Sequence, residues 1–262
     1  MSDKLLLPTG KPHVSFSEVS NWSACSYRHK LRYVEGVDLF KPSVYLDFGT
    51  AIHAACENFL KTRVMNPKIA TEIIEKEWEA KNFFDKNKWL TIAEDVLSDI
   101  PSFFEKTFPD WEYVSAEELL YENIQGHDGV LFKGFIDGII KVKDNKGNSK
   151  YWILDYKTCS WGWHKKKKQD FMVSSQLILY KNYWSQKQNI PFKDIRCGFV
   201  LLKRDGKNGK RCELFPVSVG PKTSKRALKV IDNMITSVKK GIALKNRNSC
   251  KWCDFYETEH CL

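Results

Sequence analysis

Two short segments carry the groups best suited to chemistry. Gly134-Phe135-Ile136-Asp137-Gly138 is followed, after a polar turn over 143–149, by Ile153-Leu154-Asp155-Tyr156-Lys157-Thr158. Each carboxylate ends an apolar, β-branched run, so both segments read as strands of a hairpin, near 130–143 and 151–157. Strand residues two apart share a face, so Asp155 and Lys157 project together and Tyr156 projects the other way. Two carboxylates at adjoining strand ends suit a hard divalent cation such as Mg²⁺ or Mn²⁺. Such an ion takes oxygen ligands, keeps several waters and serves phosphodiester chemistry. Lys157 adds fixed positive charge, able to orient an attacking water and to stabilise charge building on a phosphate. A carboxylate and a lysine so spaced also form ordinary surface ion pairs, worth little. The run Trp152-Ile153-Leu154 favours the metal site, because it makes Asp155 the first charge after a buried strand.

Two helices supply further candidates. Ile52, Cys56, Phe59 and Leu60 recur at helical spacing over 47–62, with Gly49 near the start. His53 and Glu57 lie one turn apart on that helix, and spacing alone reads His53 as a partly buried histidine paired with Glu57. Gln176 and Tyr180 are four apart on a helix over 174–186 and project together, either toward a phosphate backbone or Lys157, or with Tyr180 packed as core.

These motifs together resemble the PD-(D/E)XK nuclease superfamily, and within it the RecB-like exonuclease branch that includes the CRISPR-associated adaptation nucleases. The resemblance spans nearly the whole chain. It implies that His53, Asp137 and Asp155 hold the metal with help from the backbone carbonyl of Tyr156. It also makes Lys157, Asp155, Asp137, Gln176 and Tyr180 the catalytic set. Ile136 stands where the superfamily's namesake proline would precede Asp137, a departure common in this branch.

Eight cysteines form the second signal. Cys250-Lys251-Trp252-Cys253 is a CxxC near the C-terminus, with Cys261 close behind. The start Met1–Pro8 has too short an apolar core for a secretory leader, so an intracellular protein with metal-bound rather than disulfide-bonded cysteines is expected. Sulfur ligation suits zinc or an iron-sulfur cluster, and CxxC alone does not choose. Cys25, in Ser23-Ala24-Cys25-Ser26-Tyr27, resembles the N-terminal cysteine of the iron-sulfur nucleases of the branch. This implies a [4Fe-4S] cluster on Cys25, Cys250, Cys253 and Cys261, with zinc as the alternative and His260 as a substitute ligand. Cys56, Cys159, Cys197 and Cys212 are dispersed and read as small core residues.

Composition points to a nucleic-acid partner. The 262 residues carry 42 Lys and Arg against 32 Asp and Glu, a net +10. Residues 200–251 alone hold fourteen basic and three acidic side chains, a surplus of eleven. Lys165, Lys166, Lys167 and Lys168 form a four-lysine loop after the Asp155 strand, and with Lys203 and Arg204 they are the expected phosphate contacts. Charge runs are otherwise solvated faces. Trp161, Trp163 and His164 offer stacking surfaces for unpaired bases, or core.

The elements that must position these groups read as α/β. Ser15-Phe16-Ser17-Glu18 has capping-box spacing and opens a helix expected to carry Cys25. Further helices are expected over 69–84, 91–108 and 222–241, the last burying Leu228, Ile231, Ile235 and Val238 and stopping at Gly241. Strands are expected near 114–124, 196–203 and 212–219. The implied fold is a restriction-endonuclease-like mixed central sheet flanked by helices. The chain reads as one nuclease domain, 1–262, in which 1–46 and 242–262 join as an iron-sulfur subdomain around a 47–241 core. No apolar run is long enough to span a membrane.

The expectation that follows is a metal-dependent deoxyribonuclease acting on single-stranded DNA or single-stranded ends in replication, recombination or end processing, of a size that suits a stand-alone viral enzyme. A catalytically silent DNA-binding or adaptor protein is the second class. A nuclease subunit needing a helicase partner is the third, since no phosphate-loop motif occurs in the chain. Rings and dimers both fit the sequence.

Overall fold

A computed structural model describes residues 6–39 and 41–262; most of the N-terminal stretch read above as too short for a leader lies outside them. The chain divides into two compact units. One comprises residues 1–41, 119–134 and 220–262, and the other 42–118 and 135–219.

The second unit holds a ladder built on strands β3 (Leu131–Lys143), β4 (Ser149–Cys159), β5 (Ile195–Lys203) and β6 (Cys212–Val217). β3 and β4 pair antiparallel, with Gly138 opposite Leu154 and Lys143 opposite Ser149. β4 and β5 run parallel, and β5 and β6 antiparallel, so the sheet is mixed as expected. β2 (Glu112–Asn123) also pairs with β3. Alternation along β4 sends Leu154 and Tyr156 into one core with Val200 and Leu202 of β5. Four helices cover that core: α3 (Val44–Thr62), α4 (Lys68–Lys81), α5 (Lys86–Ser98) and α6 (Ile100–Thr107). A fifth, α8 (Phe171–Gln188), packs against β4 and β5. Its buried run from Leu177 to Lys181 leaves no polar face over more than a turn.

The expected helix over 91–108 is two helices, α5 and α6. Pro101 lacks the N–H that would continue a hydrogen-bond ladder and sits in the first turn of α6 instead. Gly138 meets a steric demand: a Cβ there would lie 2.4 Å from Leu60 Cδ1, so glycine lets α3 approach β3.

In the first unit β1 (His13–Ser15), a strand not read from the sequence, pairs parallel with Leu131–Lys133. Ser15 caps α1 (Phe16–Ala24), its Oγ accepting the Glu18 N–H at 3.2 Å. That helix does not carry Cys25, which lies in an extended link (φ −162°, ψ 112°) before α2 (Ser26–His29). α9 (Pro221–Lys239) buries Ala227, Ile231, Met234, Ile235 and Val238, whereas Leu228 is 37% exposed, so its stripe is rotated by one residue from the expected one at that end. Gly241, at φ +67°, ends it in the left-handed conformation that glycine adopts without strain. Among the described residues no helix is long and apolar enough to cross a membrane.

Candidate functional site

The β3–β4 register, carried one step beyond Gly138 and Leu154, sets Asp137 across from Asp155. The ladder stops there, and the Asp137 carboxylate takes over: its Oδ2 accepts the Tyr156 N–H at 2.7 Å. Side-chain oxygen thus replaces a backbone carbonyl, which fixes the carboxylate at the point where the strands part. Asp155 is 1% exposed, and its Oδ2 lies 2.7 Å from Lys157 Nζ. Burial, then the neighbouring Asp155 charge, holds the Asp137 carboxyl well above the usual carboxylate range, with Lys157 offsetting only part of this. Burial works against the Lys157 charge, but Asp155 and Asp137 outweigh it and raise its ammonium.

His53 projects from α3 to the same place. Its Nε2 lies 2.9 Å from the Tyr156 carbonyl oxygen, and its Nδ1 lies 3.4 Å from Asp137 Oδ2. A carbonyl only accepts, so Nε2 carries the proton and Nδ1 turns a lone pair toward the carboxylate. Burial, against the pull of Asp155, keeps the ring below its ordinary value and therefore neutral. A proton on the raised Asp137 carboxyl, or a cation displacing it, can lie between the two. The expected pairing of His53 with Glu57 does not form; Glu57 instead bonds Lys61 along the helix.

Glu117 was not found by sequence reasoning. Its carboxylate joins His53 and Asp137 in a set whose donor atoms all lie within 4.8 Å of one another. Glu117 has φ +50° inside β2, in the left-handed region that residues with a side chain rarely adopt in a strand. Burial and the nearby Glu57 raise its carboxyl. The only sequence signal was the adjacent acids Glu117-Glu118 in an expected strand, and a strand acid is an ordinary surface residue. One nitrogen and two or three carboxylates, with one compensating lysine, form a donor set that fits Mn²⁺ or Mg²⁺. The Tyr156 carbonyl, expected to face that ion, spends one lone pair on His53.

Gln176 and Tyr180 do project together, the Gln176 Nε2 donating to the Tyr180 hydroxyl at 3.2 Å. Tyr180 is 5% exposed and lies near Asp155, whose charge adds to burial in raising its phenol. The basic residues are more engaged than their charges suggest. Lys165–Lys168 form a helical turn, α7, rather than an irregular loop, capped by His164 Nδ1 accepting the Lys167 N–H. Lys168 and Lys203 share Glu213, at 2.6 and 3.5 Å, and Lys167 stands over the Trp163 ring. Lys165 and Lys166 are exposed. Arg204 bonds Ser160 Oγ. Trp163 packs in the core against Phe199 and Phe215 and presents no stacking face, whereas Trp161 is 75% exposed.

In the first unit Cys25, Cys250, Cys253 and Cys261 line one cavity with Tyr27, Arg28 and Phe255; Cys261, not His260, completes the four. The Asn246 N–H points at Cys25 Sγ at 3.3 Å, and the same sulfur faces the Leu244 carbonyl at 3.6 Å. Among the described residues no three of these sulfurs lie within 4.8 Å of one another. Tetrahedral zinc, with bonds of about 2.3 Å, needs its sulfurs under about 4 Å apart.

No curated protein matches the chain. Among solved structures, a protein of Eubacterium rectale described as a candidate exonuclease superposes with a TM-score of 0.63. It shares 14% sequence identity, and the match covers 96% of this chain and 89% of that one. At that identity the likeness is one of fold. A family model for the PD-(D/E)XK nuclease superfamily matches residues 13–258, and the chain belongs to that superfamily.

Proposed function

We propose that this nuclease is a divalent-metal-dependent deoxyribonuclease that shortens single-stranded DNA ends in replication, recombination or end processing. The observation that carries the reading is the convergence of His53, Glu117 and Asp137 donors beside the buried Asp155–Lys157 pair. When bound, the cation supplies Lewis-acid charge and a water of lowered pKa. The chain's own groups do the rest. The Tyr156 N–H fixes the Asp137 carboxylate, and the His53 imidazole stands beside the same carboxylate oxygen. Asp155 tethers Lys157 so that its ammonium borders the cleft with His53 and Glu117, where charge on a phosphate in the transition state would be met by fixed positive charge. The bonded pair Gln176 and Tyr180 lies near Asp155. The four terminal cysteines would hold a [4Fe-4S] cluster, a structural clasp of the first unit.

Digestion of 5′- and 3′-labelled linear strands, duplexes and closed circles with Mg²⁺ or Mn²⁺ tests this. Mononucleotides or short products from linear single strands, with circles intact, are expected. Cut circles would make the enzyme an endonuclease, and binding without cleavage in either ion would make it a silent DNA-binding protein.

A further inference from the structure

The cleft beside the metal-binding set is open, has a volume of about 570 Å³, and is chemically two-ended. Glu57, Glu117 and Lys157, beside the neutral His53, make one end charged. Tyr45, Leu46, Gly49 and Thr50 make the other end uncharged. Tyr45, Gly49, His53 and Glu57 succeed one another at four-residue steps, so a single face of α3 forms the wall. Tyr45 stands two turns from His53, about 12 Å along the axis. A nucleotide has the same two-ended chemistry, with a charged phosphate and a flat, weakly polar base.

Tyr45 is built as a platform. The residue is 61% exposed although it belongs to an aromatic series. Trp89 meets it edge-on at 5.5 Å and 78°, and Trp89 is itself fixed by Phe48 and Trp78. The Arg204 guanidinium lies 4.8 Å from the Tyr45 centroid and 5.8 Å from that of Trp89. Arg204 is anchored by its N–H to the Cys159 carbonyl at 2.8 Å and by its side chain to Ser160. A ring held by an edge contact and a cation, on a residue left mostly open, is organised in advance for stacking.

Resting on the nuclease reading above, we propose that Tyr45, backed by Arg204, stacks on an unpaired base of the strand whose phosphate lies at the His53–Asp137 end, and so selects single-stranded DNA. Paired bases stack on their neighbours and cannot offer a face to the ring. Arg204 thus acts as a positioning residue for Tyr45 rather than as a phosphate contact.

The test uses single strands carrying 2-aminopurine at successive positions from each end, bound to the full chain with Ca²⁺ in place of Mg²⁺ or Mn²⁺. Stacking quenches the probe. One or two adjacent positions are expected to be quenched, the quench disappearing in Tyr45→Ala and Tyr45→Leu and persisting in Tyr45→Phe. Binding should weaken about five- to hundred-fold in the first two variants. An abasic site at the quenched position should weaken the parent to the same degree and leave Tyr45→Leu unaffected. Tyr45→Leu keeps the apolar cover over Trp89, so equal melting without quenching separates stacking from packing. If Tyr45→Leu binds and quenches like the parent while both cleave the same strand in Mn²⁺, the platform is refuted and the nuclease stands. Cleavage by neither protein would instead overturn the nuclease reading.

Discussion

Asp137 and Asp155 stand on strands whose pairing continues for six residue pairs, beneath a core of 22 buried side chains. Cys25, Cys250, Cys253 and Cys261 stand on links and a short 3₁₀ turn around a cluster whose buried members are Leu31, Phe255 and Cys261. The carboxylates are thus placed by packing before any ion arrives, and part of the folding energy goes into holding like charges close together. The cysteines have almost no core to place them. A site of the first kind would gain catalysis from a bound metal, and a site of the second kind would gain its structure from one.

The sharpest way to break this comparison is to remove charge from the first site. Lys157→Ala should lower kcat by orders of magnitude while DNA affinity and melting stay close to those of the parent, because the ammonium acts on charge that appears only in the transition state. Asp155→Ala should be as inactive. Cleavage at parental rates by both variants would remove Asp155 and Lys157 from the mechanism.

A large structural effect is expected at the second site. Cys253→Ser, or removal of the metal by chelator, should unfold the first unit at lower temperature while the unit holding Asp137 and Asp155 keeps its own transition, giving a two-step melt. Protein prepared without oxygen should be brown and contain about four irons per chain; colourless protein with one zinc would replace the cluster. A parental melt in Cys253→Ser would show that the first unit stands without that ligand.

A smaller effect sharpens the role of the residue that sequence reasoning missed. Glu117→Gln and His53→Ala should each weaken Mn²⁺ binding, by about ten- to hundred-fold if ligands matter as much as the residues that support them, and His53→Ala should shift the preference toward Mg²⁺ because an all-oxygen site remains. Titration calorimetry reads both. Mn²⁺ should also raise the melting temperature of the second unit alone. Unchanged affinity in Glu117→Gln would leave Glu117 as a surface acid near the cleft.

The smallest effect concerns the lysine turn. Lys165→Ala with Lys166→Ala should flatten the salt dependence of single-strand binding by a slope of about 0.7 for each phosphate that the protein no longer neutralises. Lys168→Ala should do less, since Lys168 already answers Glu213. An equal change from all three would mean that the Glu213 pairing gives way when DNA binds.

Much of the framework was legible because its signals are local. β3, β4, β5 and α9 begin and end within a few residues of their expected limits, since apolar periodicity and Gly or turn residues act over one element at a time. Asp137, Asp155, Lys157 and His53 do converge, because strand pairing and a helix face leave few ways to arrange them. The split of the expected 91–108 helix at Pro101 has a local cause, but other departures lie across the fold. Of the two readings of Trp163, packing against Phe199 and Phe215 decides for core, and Lys168 and Lys203 are paired because Glu213 reaches both.

Residue types and spacing by themselves determined the two-acid-and-lysine motif, the order of the main strands and long helices, and the grouping of cysteines at the ends, because each depends on neighbours within a few positions. Only the tertiary structure decided that Glu117 turns into the metal set, since its left-handed backbone at φ +50° leaves no mark on composition. Likewise it alone decided that His53 answers Tyr156 and Asp137 rather than Glu57, because those partners lie 84 or more positions away and are brought near by packing of α3 on the sheet. It alone set Tyr45 and Arg204 face to face, because 159 residues separate them in the chain and only the burial of Trp89 between their elements brings both to one edge of the cleft.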